Sequence, residues 1–275
     1  MTRRFGVSTH LYQSQRLARD QFRDISAHGF THVELFAART HLDYANPTAV
    51  ADLHGWLAEA GLELASVHAP IAGGFSAGRW TDPFSIASAD RGERERAVEE
   101  ATLALQIARR LPFRVLVVHL GWPRPAINSR DAARRSVEAL AAAAEPLGVT
   151  VAVEVIQNEL SQPGSLVKFV EDTVQSGRVS ICLDCGHAHV DGDLIDAIET
   201  VSEHLAHVHV HDNGGRTDEH LVPFDGTIDW AAALTEIQKV GYDGTLMFEL
   251  AARGPAKDTL KKAARARERM ERLLA

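Results

Sequence analysis

Nine side chains of metal-ligand type are spread along the chain: His68, His119, Glu154, Asp184, His187, His209, Asp218, His220 and Glu249. Imidazole and carboxylate together suit Zn²⁺, Mn²⁺, Co²⁺ or Fe²⁺, whereas Mg²⁺ prefers an all-oxygen shell. Glu154, Asp184, His209 and Glu249 form one group. Four such ligands leave two positions of an octahedral ion for substrate oxygens, which fits a hydroxy-ketone or an ene-diolate. His68, His119, His187, Asp218 and His220 form a second group, in which Asp218 and His220 make a D-x-H pair. Asp184 and His187 make a D-x-x-H pair across a strand end, and either spacing lets two side chains reach one ion or two adjacent ions. Glu154 and Glu249 could then bridge two or three ions. Taken singly, each strand-end histidine is more often a hydrogen-bonding partner than a ligand. Together, ionisable groups at successive strand ends are costly to bury without a shared partner, which favours a metal site over a metal-free polar rim.

Most of these residues follow short apolar runs: LASVHAP, VLVVHLGW, VAVEV, ICLDCGH, HVHVHD and LMFEL. Strands are expected at 5–10, 32–36, 62–68, 115–119, 149–155, 179–183, 206–211 and 245–250. Between them lie stretches of helical period such as 132–147 and 193–204. Eight continuous apolar strands alternating with helices imply a parallel sheet covered on both faces. Catalytic groups at several strand ends then point to an α/β fold, a single (β/α)8 TIM barrel spanning residues 1–275 as one domain. Gly29, Gly61, Gly148, Gly177 and Gly241 each follow a helical stretch and read as helix terminators. The segment 256–274 reads as the last outer helix. Residues 70–92, with Phe75, Arg79, Trp80 and Phe84, form a long connection after the third strand, expected to act as a lid or binding loop at the catalytic rim.

With 275 residues, 45% hydrophobic and 24% charged, the chain can bury a large core without disulfides. A net charge of −8 argues against a protein whose main task is gripping phosphate backbone. The two cysteines, Cys182 and Cys185, are no disulfide framework, and neither a redox nor a zinc role is expected of them. No run approaches the roughly 18 apolar residues of a membrane span, and the first residues lack the apolar core of a secretory signal. The expectation is a soluble, cytoplasmic protein.

The pieces VELF, SVHAP, VHLGW, VEV, LDCGHAH, HVHVHDN, DEHLVPFDGTIDW and FEL, taken together over nearly the whole chain, resemble the xylose isomerase-like TIM-barrel superfamily. That superfamily holds sugar and sugar phosphate isomerases and epimerases, and also the endonuclease IV family. Resemblance to the epimerase-like members implies one divalent ion (Mn, Co, Mg or Zn) on Glu154, Asp184, His209 and Glu249. Glu154 and Glu249 would be the catalytic acid/base pair, transferring a proton through a metal-stabilised ene-diolate of a sugar, sugar phosphate or polyol derivative. Resemblance to endonuclease IV implies up to three Zn on all nine positions and hydrolysis at apurinic sites. The chain departs from that nuclease at VEVIQNEL, which lacks its glycine-rich turn, and in the absence of an evident basic surface for duplex DNA. It departs from the ketose epimerases at NGGRTDEHL, where Arg216 stands in part for their basic loop. A small sugar-like substrate is the expected partner, contacted by His187, His211, Arg216, Glu34, Trp122 and Trp80. Nucleic acid is disfavoured, no membrane is involved, and a homo-oligomer is compatible with the fold.

Overall fold

Residues 3–173 and 178–275 are described by a computed structural model. The strands in chain order are β1 (Arg4–Ser8), β2 (His32–Phe36), β3 (Glu63–His68), β4 (Ala72–Ser76), β5 (Arg79–Pro83), β6 (Val115–Val118), β7 (Thr150–Glu154), β8 (Val179–Asp184), β9 (Leu205–Val210) and β10 (Thr245–Phe248). Eight of them close a parallel barrel in the order β1-β10-β9-β8-β7-β6-β3-β2. The expected (β/α)8 barrel is therefore present. Its helices are α1 (Arg19–Ala27), α2 (Pro47–Ala60), α3 (Arg91–Leu105), α4 (Arg130–Ala144), α5 (Pro163–Thr173), α6 (Cys185–Asp191), α7 (Leu194–Val201), α8 (Trp230–Lys239) and α9 (Ala256–Leu273).

The alternation of side chains along each strand sets up two interiors. Val33, Leu35, Val67, Leu116, Val118, Val151, Val153, Ile181, Leu183, Val208 and Val210 point outward into the apolar layer beneath the helices. The residues between them point into the barrel. Val115, Val117, Ala152 and Cys182 make a small apolar plug there. Beyond the plug, toward the C-terminal ends of the strands, the inward positions turn polar: His68, Glu154, Asp184 and His209. The side chains of Asn46, Asp90, Ser129, Asp184, Asp193 and Asp229 cap helices by accepting backbone N–H groups. Of the expected helix terminators, Gly29, Gly61, Gly148 and Gly241 have positive φ. Gly177 lies outside the described residues.

One local expectation is corrected. The first strand ends at Ser8, and residues Thr9–Tyr12 form a 3₁₀ turn that carries His10. Ser8 caps that turn by accepting from His10 N–H, so the chain leaves the sheet two residues early. The long connection after β3 holds an antiparallel hairpin, β4–β5, with Phe75 paired to Trp80. Among the described residues no helix is long and apolar enough to cross a membrane.

Candidate metal centre

The C-terminal rim brings all nine expected ligand residues together in three adjoining sets. His68, His119 and Glu154 form one; Glu154, Asp184, His209 and Glu249 form the second; His187, His211, Asp218 and His220 form the third. Within each set one donor atom per residue lies within 4.8 Å of every other. Glu154 sits between two sets and divides its oxygens. Oε2 lies 2.9 Å from His119 Nε2 and 3.1 Å from His68 Nε2, while Oε1 lies 2.9 Å from His209 Nδ1.

The imidazoles are aimed from behind. His68 Nδ1 donates to the Ala69 carbonyl at 2.8 Å, His187 Nδ1 to Val155 at 3.0 Å and His220 Nδ1 to Glu249 at 2.8 Å. Each therefore presents Nε2 to the centre: His68 to Glu154, and His187 and His220 to Asp218 Oδ2 at 3.2 and 3.0 Å. A ring nitrogen that donates to a carbonyl fixes the tautomer and leaves the other nitrogen's lone pair for an ion. His220 is held in a left-handed backbone conformation, φ 46°. Asp184 accepts from His187 N–H at 2.7 Å as the cap of α6. Among the described residues its Oδ2 is buried without a hydrogen-bond partner, as is His211 Nδ1.

Against the pull of burial, carboxylates raise His68, His187, His209 and His220 above the ordinary imidazole value, while burial lowers His119. Burial alone would raise the Asp184 carboxyl, but His187 and His211 beside it lower it to about 2. Burial likewise opposes the charge on Asp218, and His220 and His187 overcome it and hold its carboxyl well below the usual range. Burial would lower His220, and Asp218 instead raises it to about 9. His10, whose ring centroid lies 4.7 Å from that of His220, is pushed down to about 4 by burial and by His220, and is neutral near pH 7. Carboxylates gathered this closely require compensating charge. Together with the orphaned Asp184 Oδ2 and His211 Nδ1, that demand fits a divalent ion, and the mixed imidazole–carboxylate donors suit Zn, Mn or Co better than Mg.

The expected substrate contacts fare differently. Glu34 is fully buried, one layer below the rim, and its Oε2 accepts from Ser66 Oγ at 2.8 Å, His209 Nε2 at 3.0 Å and His207 Nε2 at 3.2 Å. Its exposure to the rim is nil and its hydrogen bonds run to Ser66, His207 and His209. His211 is also fully buried, 2.9 Å from Asp184 Oδ1 and stacked on His220, so it belongs to the third ligand set. Trp80 is half-buried and stacks on Phe36, which stacks in turn on His68. This places the hairpin beside the first set. Trp122 is half-buried and its indole N–H is taken by the Phe84 carbonyl at 3.0 Å. Arg216 is exposed on the loop before Asp218 and joins none of the three sets.

Three supporting residues were not among the expected site residues. Ser66 and His207 hold Glu34, and two-residue spacing on β9 was the available signal for His207. Asp212, fully buried, binds the loop that carries Asp218 and His220. It accepts from the N–H groups of Asn213, Phe224 and Ile228 and from the Trp230 indole. Cys182 and Cys185 are free and buried, and burial pushes the Cys182 thiol up.

The family profile described as xylose isomerase-like TIM barrel matches residues 22–273. An uncharacterised protein of Methanocaldococcus jannaschii is 27% identical over 258 residues, which is 90% of this chain and 83% of its own. A D-psicose 3-epimerase of Enterocloster bolteae is 24% identical over 238 residues, 82% of this chain and 74% of its own. The crystal structure of a D-tagatose 3-epimerase-like protein has a TM-score of 0.81 at 26% identity, covering 98% of this chain and 97% of that one.

Proposed function

The chain belongs to the xylose isomerase-like TIM-barrel family, and from that premise we propose that it is a divalent-metal-dependent isomerase or epimerase of a sugar, sugar phosphate or polyol derivative. One observation carries the reading: Glu154 and Glu249 reach the same point as Asp184 and His209 from strands β7 and β10, which are three places apart around the barrel. Two carboxylates on opposite sides of one point can address opposite faces of one carbon. The similarity to a D-psicose 3-epimerase and to a D-tagatose 3-epimerase-like protein supports the same chemistry.

In this reading Glu154, Asp184, His209 and Glu249 hold the ion. When bound, it supplies Lewis acidity to the oxygens flanking the reacting carbon and so acidifies its C–H bond. One of the two glutamates takes that proton, and the electrons of the C–H bond move onto the neighbouring carbonyl oxygen. The other glutamate returns a proton to the opposite face, which inverts the centre. Return to the adjacent carbon gives isomerisation instead. His68 and Phe36 carry Trp80 as an apolar wall beside the site, suited to the C–H face of a sugar ring.

The test is solvent exchange. Mn- or Co-loaded protein is incubated in D₂O with five- and six-carbon ketoses and their phosphates and followed by NMR. Deuterium at the carbon beside the carbonyl, lost in Glu154→Gln with the circular dichroism unchanged, is the expected result. Full metal loading with no exchange on any of these substrates overturns the reading.

A second reading has its own support. The first and third ligand sets, with Glu154 shared between the first and second, furnish enough donors for three ions. Such a centre suits a multinuclear zinc phosphodiesterase, in which the carboxylates are ligands and not proton carriers. Zinc-loaded protein that nicks an abasic-site duplex would place this reading first, and intact duplex would remove it.

A further inference from the structure

We propose that Glu34 is the positioning residue of the metal centre. Its carboxylate turns His209 so that Nδ1 faces Glu154, Asp184 and Glu249, and it makes that set the first to fill and the last to empty. The inference rests on the metal-dependent reading above and adds an order of affinity to it.

Glu34 lies in β2 on the barrel interior and is fully buried. A carboxylate taken out of water is expensive unless its charge is answered locally. The answer here is concentrated on one oxygen: Oε2 takes the Ser66 hydroxyl, His207 Nε2–H and His209 Nε2–H, and Oε1 has no hydrogen-bond partner among the described residues. The consequence falls on His209. With Nε2–H given to Glu34, the nitrogen turned to the centre is Nδ1, which lies 2.9 Å from Glu154 Oε1, 3.5 Å from Glu249 Oε2 and 3.7 Å from Asp184 Oδ2 and would give up its proton to an ion there.

His209 is unlike the other aimed imidazoles. His68, His187 and His220 are held through Nδ1 by neutral backbone carbonyls and face the centre with Nε2. His209 is held through Nε2 by a carboxylate and faces the centre with Nδ1. A carboxylate behind a ligand imidazole raises its basicity and strengthens its bond to an ion, and losing such a group typically weakens metal affinity about 10–100-fold. The second set also has three carboxylates of its own, against one in each of the other two. Charge in the set and charge behind it act in the same direction.

The supporting residues follow from strand geometry. His207 and His209 are two apart on β9, so both point into the barrel and both reach Glu34. Ser66 on β3 pairs in register with Glu34 on β2, which sets its hydroxyl against the carboxylate. His207 also lines a cleft at the opposite end of the barrel with Arg4, His32 and Arg114. The position of Glu34 is thus fixed from two other strands, β3 and β9, and its carboxylate passes that rigidity to His209.

The test measures metal binding, not turnover. Wild type, Glu34→Gln and Ser66→Ala are stripped and titrated with Co²⁺ against a chromophoric chelator, and the visible spectrum is recorded after the first equivalent. Thermal melts of the metal-free proteins run in parallel. Glu34→Gln is expected to weaken only the tightest ion, about 10–100-fold, and to change the spectrum of the first equivalent. Its metal-free melting point separates a general loss of stability from the loss of affinity. Ser66→Ala should shift affinity in the same direction by less, and it carries the test if Glu34→Gln does not fold.

First-ion affinity and spectrum equal to wild type in both variants would overturn the proposal. So would a lowered metal-free melting point with affinity unchanged, which marks a purely structural role. Loss of one whole equivalent would make Glu34 itself a ligand and overturn positioning in another way. A wild type that takes up no Co²⁺ would instead sink the metal-dependent reading, and this proposal with it.

Discussion

Gly186 leaves the space that His211 occupies: a β-carbon built on Gly186 would fall 1.9 Å from Cε1 of the His211 ring. Gly186 is the second residue of α6, one position before His187, and the His211 ring passes directly over its backbone. Only glycine permits that approach. Gly186→Ala must push His211 off Asp184 and out of the third ligand set. Overpacking of this kind costs about 1–3 kcal/mol. The expected outcome is a lower melting point together with weaker metal retention, since His211 backs Asp184 at 2.9 Å, read by elemental analysis. Wild-type metal content in a folded Gly186→Ala protein would show that His211 can move without consequence.

Asp212 ties together the loop that delivers Asp218 and His220. Its two oxygens accept three backbone N–H groups and the Trp230 indole, all between 2.9 and 3.1 Å. Gly226 allows the chain to come this close, since a β-carbon there would lie 2.2 Å from Asp212 Oδ1. Replacing Asp212 by Ala leaves those donors buried and unanswered, at about 1–3 kcal/mol for each unsatisfied group. Asp212→Ala should destabilise the protein and raise hydrogen exchange at Phe224 and Ile228. Protection unchanged at both amides would count against the clamp.

The barrel was legible because its evidence is local. A buried parallel strand is an unbroken apolar run, and runs such as VLVVH and HVHVH announce both a strand and the polar group at its end. The sites of Glu154, Asp184 and Glu249 followed from that same pattern. Which inward position lies in which layer was not legible, because it depends on the stagger between strands. Glu34 and His209 sit at different heights although both are inward-facing acids or imidazoles on apolar strands. The register shifts between Val33 and Glu34 and between Ile181 and Cys182 change that stagger further. Hairpin β4–β5 was hidden for another reason: AGGFS and RWTDP lack a clean alternation, and the Phe75–Trp80 pair that joins them forms only across the turn.

His41 gives a pH dependence separate from the metal centre. It is almost fully buried, Nδ1 donates to the Gln15 carbonyl at 2.7 Å, and Nε2 is buried without a hydrogen-bond partner among the described residues. Burial lowers it from 6.5 to about 4. The folded protein therefore holds His41 neutral where the unfolded chain would already be protonated. Above pH 6.5 both states are neutral and His41 contributes no pH dependence. As pH falls from 6.5 toward 4 the unfolded state takes up the proton first, and stability drops by on the order of 3 kcal/mol. Below about 4 the loss is complete. His41→Gln should flatten the urea-denaturation stability profile between pH 6.5 and 4 relative to wild type. An equally steep acid slope in the variant would assign that loss to other groups.

Glu154 and Glu249 would be equivalent if they served only as a proton-transfer pair, and their surroundings say otherwise. Glu154 gives Oε1 to His209 and Oε2 to His68 and His119, so it belongs to two adjoining ligand sets. Glu249 belongs to one. Glu154→Gln should therefore weaken metal retention more than Glu249→Gln, when metal content is measured after identical dialysis. Turnover should fall in both variants by about 10²–10⁴-fold, the usual worth of a general acid or base. Added metal should restore occupancy to Glu249→Gln at lower concentration than to Glu154→Gln, without restoring turnover to either. Recovery of turnover together with occupancy would mean that the carboxylates serve as ligands alone, and the proton-transfer pair would have to be sought elsewhere on the rim.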